Sequence, residues 1–200
     1  MEEIILQKAL DRYRIAKKAI ERMQSEKTLE SQEDEWFTFL RAWKGIYTCL
    51  EQGVKSDAKA TMWFGQRNST RRKDPLLQYL YQARNDDEHG LTRTTARQPA
   101  SVIIGRPIRP GRMKLHNLNI SMGGGRVNIE DRGSENIDFT PVAVDAHLTL
   151  CPVRDRDKKT IYYPPKEHLG TNIDFGSNPI AVAEAALRYV DGLLLEAKKL

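Results

Sequence analysis

Apolar side chains recur at helical spacing up to about residue 90, change to strand-like runs near residue 100, and return to helical spacing from about residue 179. A stripe that repeats every ~3.6 residues buries itself only on a helix, and one that repeats every ~2 only on a strand. The order of the two periods therefore predicts an α+β chain in which a helical part is interrupted by a β-rich part.

The first helix is expected over residues 3 to 24, where Leu6, Ala9, Tyr13, Ala16, Ile20 and Met23 line one face and lysines and arginines the other. After the polar stretch Ser25 to Glu33 comes a second, with Trp36, Leu40, Trp43, Tyr47 and Leu50 on one stripe and Gly53 as its stop. Ser56 is placed to cap a shorter third helix carrying Ala58, Met62 and Trp63. Asp74-Pro75 opens the fourth, because the carboxylate can accept from the first turn and proline lacks only an N–H that a helix start leaves unpaired. Its buried face is predicted to hold Leu76, Leu77, Leu80 and Tyr81, and Gly90 its left-handed stop.

Strands are expected in "SVIIG" (101–105), "MKLHNLNI" (113–120), "RVNIE" (126–130), "VAVDAHLTL" (142–150) and "KTIYYPP" (159–165). "SMGGGR" (121–126) fits a hairpin turn better than a phosphate loop, since it lacks the lysine and hydroxyl residue of a P-loop. Ser177-Asn178-Pro179 opens a last helix with Val182, Ala186, Tyr189, Leu193 and Ala197 on one stripe. That helix is too apolar to stand alone, so four amino-terminal helices and the carboxyl-terminal one are expected to form a bundle. The expected division is residues 1–95, a β-rich insertion over 96–176, and 177–200 packing back on the helices.

Cys49 and Cys151 offer no metal spacing and no disulfide framework, so both are expected to be reduced core residues. His116, His147 and His168 lie scattered without ligand spacing, and no metal site is expected. The runs Ile4-Ile5-Leu6 and Leu193-Leu194-Leu195 are too short to span a bilayer, and Glu2-Glu3 stand where a secretory leader is basic; a cytoplasmic location is expected. The net charge of +5 is modest, but its distribution is uneven. No acidic residue lies between Glu88 and Glu130, whereas Arg93, Arg97, Arg106, Arg109, Arg112, Lys114 and Arg126 do. Such a stretch, with Arg71-Arg72-Lys73 ahead of the fourth helix, offers phosphate contacts to a nucleic acid. Trp36, Trp43 and Trp63 are expected in the helical core rather than stacked on bases.

The fourth helix ends in "QARNDDEHGLTR" (82–93), which carries Arg84, Asn85 and His89. At about 100° per residue Asn85 and His89 share a face, and Arg84 lies within reach of a ligand placed over the helix end. Arg84-Asn85-Asp86-Asp87-Glu88-His89 resembles the R-[polar]-x-x-x-H motif of the HEPN superfamily, helical-bundle proteins that include many metal-independent ribonucleases of toxin–antitoxin, abortive-infection and CRISPR systems. Gly90-Leu91 follow, where one common form of that family has a tyrosine two positions after the histidine. The resemblance implies an HEPN-like bundle that cleaves RNA by attack of the ribose 2′-hydroxyl on the adjacent phosphorus, with no cofactor. It assigns proton transfer to His89, charge stabilisation to Arg84 and orientation to Asn85. It also implies a homodimer whose two motifs face one cleft, lined further by Arg93, Arg97, Arg106, Arg109 and Arg112, and a possible antitoxin or other regulator as partner. A non-catalytic module of the same fold that binds nucleotide, RNA or a partner protein is the alternative. The same residues also allow a plain helix end in which Arg84 pairs with Glu88.

Overall fold

The computed structural model describes residues 2–89, 93–103, 118–123, 126–131, 142–155 and 159–200. Helix α1 (Glu3–Ser25) packs along α2 (Leu29–Gly53), with Ala9, Ala16 and Ala19 of one and Trp36, Phe39 and Trp43 of the other among the buried side chains. The second helix begins earlier than its apolar stripe, because the Thr28 side chain accepts from the Ser31 N–H at 3.1 Å and closes the first turn. Glu33, in the polar stretch, is buried and accepts from Thr95 Oγ1 at 2.6 Å. Beside it Trp36 Nε1 donates to Thr94 Oγ1 at 3.3 Å, so the segment after the fourth helix is held against α2.

Helix α3 (Ala58–Lys73) differs from expectation at its start and on its buried face. Asp57 is the cap, accepting from the Lys59 and Ala60 N–H groups at 2.7 and 3.0 Å, because it stands one residue nearer the donors than Ser56. Met62 is exposed, and the buried positions are Ala60, Phe64 and Arg71. Helix α4 (Pro75–His89) starts as its Asp74-Pro75 pair predicts, with Asp74 Oδ1 accepting from the Leu77 N–H at 2.9 Å. The expected stop at Gly90 lies outside the described residues. Helix α5 (Pro179–Ala197) is capped by Asn178 and contacts α1, α2 and α4. Trp36, Trp43, Leu76, Leu80, Val182 and Val190 are among the buried side chains of one hydrophobic core. Trp63 is partly buried against that core, its Nε1 donating to Glu196 Oε2 at 2.8 Å.

The strands are short. They are β1 (Thr95–Gln98), β2 (Ser101–Ile103), β3 (Leu118–Gly123), β4 (Arg126–Asp131), β5 (Val142–Val144), β6 (His147–Leu150), β7 (Val153–Arg154), β8 (Ile161–Tyr162), β9 (Glu167–His168) and β10 (Thr171–Asn172). They pair as β1–β6, β2–β5, β3–β4, β7–β8 and β9–β10. The β3–β4 hairpin runs from Leu118 opposite Asp131 to Gly123 opposite Arg126, so Ser121, Met122, Gly123 and Arg126 of "SMGGGR" lie in the paired strands, while Gly124 and Gly125 lie outside the described residues.

Two compact units result: residues 1–96 with 148–200, and residues 97–147. Residues 148–176, grouped by sequence with the β-rich insertion, thus lie in the helical unit. The reason is apolar and polar anchoring: Leu150 and Val153 join its core, Tyr79 Oη donates to the Cys151 carbonyl at 2.7 Å, and Gln78 Nε2 donates to Tyr162 Oη at 3.1 Å. Within "YYPPKEHLG" (162–170) β9 packs on α4, and Asp74 accepts from His168 Nδ1 at 3.0 Å and from the Leu169 N–H at 2.6 Å. Leu169 and Gly170 turn there with positive φ of 49° and 80°. Both cysteines are free and half-buried, and no described helix is long and apolar enough to cross a membrane.

Candidate functional site

The last turns of α4 carry Arg84 and Asn85, both half-buried, and end at His89, whose side chain lies outside the described residues. Arg84 Nη2 forms an ion pair with Glu88 one turn on, and its Nη1 lies 3.4 Å from Asn85 Oδ1. Asn85 Oδ1 also accepts from Lys44 Nζ at 3.0 Å, a residue of α2. The asparagine is therefore committed to two cations of its own chain.

The acidic residues between Arg84 and His89 are absorbed internally. Asp86 is buried and accepts from the Arg154 N–H at 3.3 Å. Asp87 lies 4.0 Å from Arg41, and burial pushes its carboxyl up, with Arg41 opposing the shift. Glu88 is taken by Arg84. Repulsion toward a polyanion at this helix end is correspondingly reduced.

Behind the motif, between α2, α3 and α4, lies a cavity of about 240 Å³ with Lys44, Tyr47, Asn68, Arg71 and Tyr81 in its wall. Arg71 is buried, yet it forms no ion pair among the described residues. Its Nε and Nη2 donate to Asn68 Oδ1 at 3.0 and 2.7 Å, and its Cζ sits 4.1 Å from the centre of the Tyr81 ring and 5.5 Å from that of Tyr47. Lys44 Nζ lies 4.5 Å from the Tyr81 ring centre. Two cations thus share one aromatic ring, an arrangement worth roughly 1 kcal/mol per contact where partly desolvated. Burial lowers the Lys44 ammonium from its ordinary value, and Arg84 and Arg71 lower it further, while Tyr81 and Glu88 pull the other way. Burial likewise lowers the Arg71 guanidinium, which still keeps its proton.

Of the residues expected to contact RNA, Arg93 is exposed in the helical unit and Arg97 is exposed on β1 in the 97–147 unit. Arg106, Arg109 and Arg112 lie outside the described residues, as does His116. Among the described residues there is no group of three or more metal-ligating side chains. Sequence reasoning did not single out Lys44, for nothing local distinguishes it from other lysines on a helix. Arg71 did carry a signal, the Arg71-Arg72-Lys73 run, but only the first of the three turns inward. Comparison with known proteins finds no matching family model, no matching curated protein and no matching solved structure.

Proposed function

We propose that the chain is an HEPN-like, metal-independent endoribonuclease of toxin or defence type, acting as a homodimer. The observation that carries this reading is the Arg84-Asn85-x-x-x-His89 spacing at the end of a helix packed among others, next to the cations Lys44 and Arg71. In the reaction the 2′-oxygen bonds to phosphorus as its proton leaves. The bond to the 5′-oxygen then breaks, and that oxygen takes up a proton. The products are a 2′,3′-cyclic phosphate and a 5′-hydroxyl. His89 moves the proton and Arg84 meets the charge on the phosphorane oxygens, once RNA draws it from Glu88. Arg93, Arg97 and the arginines at 106, 109 and 112 extend the contact to neighbouring phosphates.

The test is cleavage of labelled RNA and matched DNA in EDTA by wild type, His89→Ala and Arg84→Ala. Wild type is expected to cut RNA alone, leaving cyclic phosphate ends, and both variants to be inert; DNA lacks the 2′-hydroxyl nucleophile. Equal cleavage by His89→Ala and wild type would sink the assignment. A second reading, a non-catalytic module that binds RNA, nucleotide or a partner protein, is favoured by the Arg84–Glu88 ion pair and by the Lys44 hold on Asn85. It predicts binding without cleavage for all three proteins.

A further inference from the structure

The cavity between α2, α3 and α4 holds more cationic and donor capacity than the chain itself uses. Arg71 Nη1 makes no hydrogen bond among the described residues, in contrast to its Nε and Nη2. A buried cation without an ion-pair partner is costly, so an incoming anion stabilises Arg71. Tyr47 remains a neutral phenol, because burial pushes its hydroxyl well up. The acidic member of the wall is Glu51, which is exposed and therefore more strongly screened than the buried guanidinium it faces.

We propose that this cavity binds a phosphoryl group, carried by inorganic phosphate or by a nucleoside monophosphate, between Lys44 and Arg71. A tetrahedral oxyanion supplies many acceptor sites to converging donors, and the planar guanidinium suits two of its oxygens. Size points the same way. At about 240 Å³ the space holds on the order of eight waters at ~30 Å³ each, ample for the phosphoryl group itself. The Tyr81 ring, already against both cations, forms a wall on which a base or ribose can rest. The inference goes beyond the ribonuclease reading and does not depend on it, since Arg84 is not among the residues that line the cavity.

The experiment is thermal unfolding and calorimetric titration with inorganic phosphate and, separately, AMP, each to about 10 mM at constant ionic strength against chloride. A saturable rise in Tm with either ligand and not with chloride is expected. The tighter of the two identifies the source of the phosphoryl group. Lys44→Gln is expected to weaken the binding about tenfold, as the loss of one charge-assisted hydrogen bond requires. Arg71→Gln removes a buried contact and can lower stability, so Arg71→Lys serves beside it: charge is kept, the fork is lost, and binding is again expected to weaken severalfold. The absence of a saturable response to both ligands overturns the proposal, and so does unchanged affinity in Lys44→Gln. His89→Ala is expected to bind phosphate as wild type does, which separates this outcome from the fate of the ribonuclease assay.

Discussion

Lys44 Nζ donates to Asn85 Oδ1 at 3.0 Å, joining the middle of α2 to the last turns of α4 across 41 positions of sequence. The bond sits where the R-N-x-x-x-H motif meets the cationic cavity, and it withdraws Asn85 from solvent. A double-mutant cycle of Lys44→Met and Asn85→Ala, read by urea unfolding, is expected to give a coupling of about 1 kcal/mol. Strict additivity would show that the contact contributes nothing.

Glu88 competes with any phosphate for Arg84. Glu88→Gln removes the competing charge, and because the pair is partly exposed its loss is expected to change stability by less than ~1 kcal/mol. Affinity for single-stranded RNA, measured by fluorescence anisotropy at low salt, is expected to rise severalfold. Unchanged affinity would place Arg84 outside the RNA contact.

Asp74 joins the start of α4 to the end of β9, accepting from Leu77, His168 and Leu169. Burial acts to raise its carboxyl, but the hydrogen bonds from His168, Leu169 and Leu77 outweigh it and hold the group below the usual carboxylate range. A depressed folded-state value gives stability that is complete above the unfolded value near ~4 and is lost as pH falls through the folded one. Asp74→Asn is therefore expected to be less stable than wild type at pH ~6, and the gap to close as the pH is lowered below ~4. Urea midpoints across that range check it; a gap independent of pH would remove the carboxylate from the account.

Gly176 is buried where the chain returns toward α5, and a Cβ built on it would stand 1.6 Å from the Pro165 carbonyl oxygen. Backbone cannot yield as a side chain does. Gly176→Ala is expected to destabilise by about 2 kcal/mol or more, which thermal unfolding will show, whereas Gly192→Ala, with open space around it, serves as a control in α5.

The helices were legible because their signals are local. A stripe such as Trp36, Leu40, Trp43, Tyr47 and Leu50, or a cap such as Asp74-Pro75 or Asn178-Pro179, needs no knowledge of the rest of the chain. The pairs β7–β8 and β9–β10 were harder to read, since two-residue strands are too short to show a period and are set by what α4 offers them. Ser56 and Asp57 are equally good caps by residue type, and only the backbone path decides between them. The motif at Arg84, Asn85 and His89 was visible as a spacing, but the partners of its first two residues were not. Arg84 meets Glu88 by helical geometry, which sequence can anticipate, while Asn85 meets Lys44 by helix packing, which it cannot. The inward turn of Arg71, beside exposed Arg72 and Lys73, likewise depends on α3 packing against α2 and α4. Periodicity and capping are properties of neighbouring residues; a cavity that gathers cations from separate helices exists only once tertiary packing has set those helices side by side.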